Sequence, residues 1–109
     1  MAKNFIQKGD TITWTNSTGS DVASGDVVVV GTLVCVAMVD IANGKSGGLA
    51  TSGVYELAAI TTGAFTQGAA LYWDASAKKL TTVTTSNTLA GPAWKAKGSA
   101  EATAWVRLN

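Results

Sequence analysis

Ser24-Gly25-Asp26-Val27-Val28-Val29-Val30-Gly31-Thr32-Leu33-Val34-Cys35-Val36-Ala37-Met38-Val39-Asp40-Ile41-Ala42-Asn43-Gly44 is the stretch that decides how this chain folds. Ser24-Gly25-Asp26 is a turn signal, because each residue type either tolerates or caps a tight reversal. Val27 to Val30 is an unbroken β-branched run, suited to a strand covered on both faces. Gly31-Thr32 interrupts it, and Leu33 to Ile41 then predicts the longest strand of the chain. Asn43-Gly44 predicts a two-residue hairpin turn of type I′, in which both central residues take positive φ.

Working outward, the same grammar repeats. Thr11-Ile12-Thr13-Trp14-Thr15 alternates, with Ile12 and Trp14 on one face and three threonines on the other. Val54 to Ile60, Leu71 to Trp73, Lys79 to Thr85 and Thr88 to Lys95 read as further strands. Pro92, the single proline, implies an edge or a bulge. Ala102 to Leu108 closes the series, with Ala102, Ala104, Val106 and Leu108 alternating against Thr103, Trp105 and Arg107. No segment carries a capped 3.6-residue apolar period; at most one short helix fits, around Ala69 or Ala75. The expected fold is all-β, a small β-barrel or sandwich of about eight short strands with little helix. Neither a linker nor a change of composition divides residues 1–109, so one domain is expected.

Composition excludes several chemistries. The chain has no histidine, so it has no imidazole base and no histidine-ligated metal. Its one cysteine, Cys35, permits no internal disulfide and no multi-cysteine cluster. Lying inside an apolar run, Cys35 reads as a small buried hydrophobe. Charged residues make up 14% of the chain, against roughly 25% in an average soluble protein. A net charge of +1 without a basic cluster argues against a protein built to grip phosphate backbones. Met1 to Lys8 lacks the apolar core of a secretion signal, so synthesis in a cytoplasm is expected. On that ground the sequon Asn16-Ser17-Thr18 reads as chance.

Three motifs carry weaker signals. Gly44-Lys45-Ser46 resembles the end of a phosphate-binding loop, but Val39 stands where the first glycine belongs and Gly47-Gly48 follows instead of a helix. A turn is the better reading. Ser76-Ala77-Lys78-Lys79 has the spacing of some serine acylases, without their companion motifs, and reads as a hairpin tip. The acidic residues Asp10, Asp21, Asp26, Asp40, Glu56, Asp74 and Glu101 are scattered, with no pair brought together by spacing. No catalytic residue, metal ligand or cofactor site is assigned.

The aromatics say more. Trp14 shares a face with Ile12 and is expected in the core. Tyr72-Trp73 are adjacent on a strand, so one of them faces outward. If Ala104 and Val106 face the core, Trp105 faces out beside Arg107, a pairing enriched at protein contacts. Alternatively Trp105 covers the barrel end or a loop. The same aromatics, with Lys95 and Lys97, would suit stacking of single-stranded nucleic acid. A small lyase or hydrolase would instead require two carboxylates converging in a cleft.

Taken in order, these elements form a longer pattern: Met1-Ala2-Lys3-Asn4-Phe5-Ile6-Gln7 with Gly9-Asp10; Ser24 to Gly31 leading to Val36-Ala37; Gly53-Val54-Tyr55-Glu56-Leu57; Gly68 before Leu71-Tyr72-Trp73-Asp74; Leu89-Ala90-Gly91; and a terminal Val106-Arg107-Leu108-Asn109. This series resembles the capsid cement, or head decoration, proteins of tailed bacteriophages, essentially from end to end. Two departures stand out: Cys35, where glycine is expected, and Trp94-Lys95-Ala96-Lys97, bulkier and more basic than the usual alanine-rich stretch.

The resemblance implies a non-enzymatic structural subunit in the virion. It would dock on the outer capsid surface and bridge neighbouring subunits of the major capsid protein, commonly as a homotrimer. It implies no cofactor, no small-molecule substrate, no nucleic acid and no membrane partner. Residues 1–8 are expected to form a flexible N-terminal arm, and Phe5, Ile6, Trp105 and Arg107 are the expected protein-interaction residues. The alternative reading is a single-stranded nucleic-acid-binding β-barrel.

Overall fold

Alternation and β-branching are realised as nine strands. The computed structural model describes residues 9–109, and no helix occurs among them. The strands are β1 (Thr11–Thr15), β2 (Val27–Val30), β3 (Leu33–Ala37), β4 (Ser46–Ala50), β5 (Gly53–Ala58), β6 (Ala70–Asp74), β7 (Lys79–Thr81), β8 (Thr88–Pro92) and β9 (Thr103–Leu108). They pair antiparallel in three sheets, ordered β1-β4-β3-β2, β5-β9 and β7-β6-β8. Neither alanine-rich stretch is helical: Ala69 follows a turn closed by its N–H to the Thr66 carbonyl, and Ala75 lies in the β6–β7 turn.

Single bridges seam the sheets together. Ala93 pairs with Val106, joining the end of β8 to β9, and Ala59 pairs parallel with Leu80, joining the end of β5 to β7. The ladder is not continuous around the molecule, so the architecture is sandwich-like and not a closed barrel. The C-terminus reinforces the seam. Asn109 donates its backbone N–H to Ala90 and its side-chain amide to the carbonyls of Val34 (3.0 Å) and Thr51 (2.7 Å).

β3 is apolar throughout because it is covered on both faces. Val34 and Val36 enter one cluster with Leu57, Phe65, Leu71 and Trp73, while Cys35 enters a second with Val28, Ile41 and Leu49. The two-residue period of a strand makes this division unavoidable. β2 behaves likewise: Val27 and Val29 pack on the first cluster, Val28 and Val30 on the second. The doubly covered strand expected at Val27 to Val30 is therefore present.

The strand expected over Leu33 to Ile41 is shorter. β3 stops at Ala37, whose N–H and C=O are taken by Asp26 and Gly25. Met38 and Val39 swing outward, about half exposed, and the chain returns at Ile41 to bridge Val22. Asn43-Gly44 does form a turn, closed by the Lys45 N–H on the Ala42 carbonyl at 2.9 Å. Only Gly44 has positive φ (82°), so the turn is of type II and not I′. It lies within the loop joining β3 to β4.

Asn16 is fully buried beneath that loop. Its amide donates to the carbonyls of Ser20 (2.8 Å) and Ile41 (2.9 Å), and its Oδ1 accepts from the N–H and hydroxyl of Thr18. Every polar atom of the side chain is engaged, so the sequon has no room for a glycan. Pro92 ends β8, an edge strand of its sheet, beside a register shift that leaves Ala90 as an extra residue opposite Leu71 and Tyr72. Trp73 is buried and Tyr72 half-buried, on opposite faces of β6; Trp14 is half-buried against the second cluster.

Candidate functional site

β5 and β9 pair over their whole length, and this register builds the outward face that carries Trp105. Alternation sends Ala104, Val106 and Leu108 into the core. On the opposite face the cross-strand partners are Val54 with Arg107, Glu56 with Trp105 and Ala58 with Thr103, all exposed. The sequence reading of β9 is borne out in orientation, except that Ala102 precedes the strand and is exposed.

Trp105 is fixed on that face from two sides. Its indole N–H donates to the Glu56 carboxylate at 3.3 Å, and the Thr103 hydroxyl donates to the same oxygen at 3.2 Å. The Lys95 ammonium stands 4.1 Å from the centroid of the Trp105 ring, within the range of a cation–π contact. The Ala93–Val106 bridge carries the register on, so that Trp94 lies opposite Trp105 and donates its backbone N–H to the Trp105 carbonyl at 2.8 Å. Trp94 is 47% exposed and Trp105 39%. The face therefore presents two tryptophans, Val54 and two cations, Lys95 and Arg107, around one carboxylate. Phe5 and Ile6, the other expected interaction residues, lie outside the described residues.

Lys97, paired with Lys95 in the sequence reading, points the other way. It is 4% exposed, and its ammonium donates to the carbonyls of Gly63 (3.0 Å), Gly98 (2.7 Å) and Ser99 (3.4 Å) while lying 5.0 Å from the Phe65 ring centroid. It is a structural clamp. The Lys95–Lys97 concentration is not a basic surface strip.

Three of the acidic residues do converge. The Val22–Ile41 bridge draws the 21–26 loop against 38–42, and Asp21, Asp26 and Asp40 border one shallow hollow of about 310 Å³. Each carboxylate accepts a backbone N–H: Asp21 from Asn43 (2.9 Å), Asp26 from Ala23 (3.0 Å) and Asp40 from Ser24 (2.8 Å). These are turn-stabilising bonds. Asp74 does the same for Ser76 and Ala77, within the turn from Ala75 to Lys78 that joins β6 to β7. Among the described residues no His, Cys, Asp or Glu cluster is placed to hold a metal ion.

Two further features carry no chemistry of their own. A groove of about 670 Å³ runs past Thr32, Gly68, Leu89, Gly91, Pro92 and Asn109, with no acidic, basic or thiol side chain in its lining. Cys35 is buried in the second cluster, and that burial pushes its thiol pKa up, away from the reactive thiolate.

Sequence reasoning placed Trp105 and Arg107 on one outward face but did not place Glu56, Lys95 and Trp94 beside them. The missing information was the β5–β9 register, which sets a residue 49 positions away beside the indole. With the geometry in place, comparison with known proteins adds one result: a family model described as phage cement protein matches residues 6–108. No curated protein and no solved structure matches the chain. The family match covers nearly the whole sequence, so the chain belongs to the phage cement protein family, structural proteins associated with the phage capsid.

Proposed function

We propose that this protein binds the outside of the assembled capsid and stabilises it by bridging neighbouring subunits of the major capsid protein. It acts as a single non-enzymatic domain and a homotrimer; the arm expected over residues 1–8 lies outside the described residues. The observation that carries this reading is the braced, outward β5–β9 face with Trp94, Trp105, Lys95 and Arg107, set on a protein whose family is structural. Aromatic and arginine side chains rimmed by polar groups are the composition of protein contacts. The inward turn of Lys97 removes one of the cations that the nucleic-acid reading needed.

A bridge acts through linkage. Its footprint spans subunits that are neighbours only in the lattice, so it binds the assembled state selectively and stabilises that state by RT ln(1 + [L]/Kd). Several weak contacts held on one oligomer raise avidity without any single strong one. The test is to mix purified protein with undecorated heads. Co-sedimentation together with a rise in the temperature of head disruption is expected. Absence of both overturns the reading, and salt-sensitive binding to single strands in their place would establish the nucleic-acid alternative.

A further inference from the structure

A three-fold ring contains only head-to-tail contacts, in which one surface of a copy meets a different surface of the next. Each copy in the proposed trimer therefore needs two unlike, complementary surfaces. The net charge of +1 hides a segregation that supplies them. Residues 9–44 hold Asp10, Asp21, Asp26 and Asp40 and no Lys or Arg. Residues 45–109 hold five lysines and Arg107 against Glu56, Asp74 and Glu101.

Folding concentrates both signs and separates them. Asp21, Asp26 and Asp40 gather at one hollow through the Val22–Ile41 bridge. Lys95 and Arg107 gather on the Trp105 face. The two lie to either side of β5: Glu56 and Ala58 border a cavity also lined by Asp21, Asp26 and Lys78, whereas β9 and Lys95 lie across the other edge, with Glu56 reaching Trp105 between them.

We propose that copies of this chain contact one another by seating the Lys95–Trp105–Arg107 face of one against the Asp21–Asp26–Asp40 hollow of the next. This rests on the trimer reading above and names its interface. The tryptophans and Val54 provide the apolar area, and the opposite charges set orientation and reject like-with-like pairing. The three carboxylates are already oriented by their turn N–H donors, which lowers the ordering cost of contact.

The test mixes isotope-labelled and unlabelled protein, free in solution and on undecorated heads, and treats both with a carbodiimide that joins a lysine amine to a carboxylate. Mixed-isotope peptides linking Lys95 to the Asp21, Asp26 or Asp40 segment are expected. The variant Lys95→Glu/Arg107→Glu is expected to keep its thermal midpoint and to weaken self-association about tenfold or more. Absence of that cross-link in both settings overturns the pairing, as does unchanged self-association of the variant. Heads that take up protein without the cross-link leave the capsid reading standing. The cross-link in solution without uptake by heads supports the pairing and counts against the capsid reading.

Discussion

The Lys95 ammonium and the Trp105 ring stand 4.1 Å apart on the outer face of the β5–β9 sheet, with the Glu56 carboxylate taking the indole N–H at 3.3 Å. An exposed tryptophan held over its ring and at its edge has lost much of its rotational freedom before any partner arrives. A preordered side chain gives up less entropy on binding, so more of its buried area appears as affinity. That makes Trp105 the residue on which contact between copies, and through it the avidity of the oligomer for the capsid, should depend most.

Replacing it tests this directly. Trp105→Ala removes no core contact, since Ala104, Val106 and Leu108 keep the inner face intact. The expected result is a thermal midpoint close to that of the parent and a loss of affinity for undecorated heads of roughly thirtyfold, equivalent to the ~2 kcal/mol typical of an aromatic hot spot. Equal binding and equal oligomerisation by the variant would remove Trp105 from the contact.

Lys97 gives the opposite expectation, although only Ala96 separates it from Lys95. Lys97→Met keeps the length and apolar stem but strands the carbonyls of Gly63, Gly98 and Ser99 that the ammonium now satisfies. Losing these charge-assisted bonds, made by a buried ammonium to part-buried carbonyls, costs about 1–3 kcal/mol. A fall in midpoint on the order of 8 °C follows for a domain of this size. Binding to heads, measured below that midpoint, should be unchanged, and Lys95→Met should show the reverse pattern.

The contrast between these two lysines marks how far the sequence could be read. Strand β9 was legible because its apolar and polar residues alternate strictly, and a period of two assigns each to a face. The run Leu33 to Ile41 was not, because uniform apolarity says nothing about where the backbone leaves the sheet. Met38 and Val39 are as apolar as Val34 yet lie outside. Lys97 was read as surface from its residue type, and its carbonyl partners include one 34 positions away that no local pattern announces. The outward direction of Trp105 was local information; its bracing by Glu56 depends on a non-local register. Charge segregation was present in the sequence, but the convergence of Asp21 and Asp26 with Asp40 needed the Val22–Ile41 bridge.

Gly91 tests the seam that carries the outward face. Its φ of 146° lies in a region that side chains rarely adopt, and a Cβ there would stand 1.9 Å from the Arg107 carbonyl oxygen. Backbone cannot give way as a flexible side chain can, so Gly91→Ala forces β8 away from β9. A loss of about 3 kcal/mol or more is expected, combining conformational strain with the clash. Circular dichroism melting should show a midpoint lower by roughly 12 °C. Head binding by the surviving folded fraction should also weaken, because Trp94 is aligned with Trp105 through this seam. A midpoint within a degree or two of the parent would show that the close approach does not constrain the fold.

Cys35 gives an expectation at alkaline pH. Its thiol pKa is raised in the folded protein by burial, so the folded state holds its proton at pH values where the unfolded chain, near pH 8.5, releases it. The unfolded state then binds fewer protons than the native one, and by linkage stability falls as pH rises above that value. Below it both states are protonated and the group contributes no slope. Cys35→Ala should flatten the decline between pH 8 and 10 that the thiol causes, at the cost of a small cavity between Val28 and Leu49. Native protein at pH 8 should also resist a thiol-reactive probe until denaturant is added. Rapid stoichiometric labelling of the folded protein would mean that the second cluster opens readily and that the pH argument fails with it.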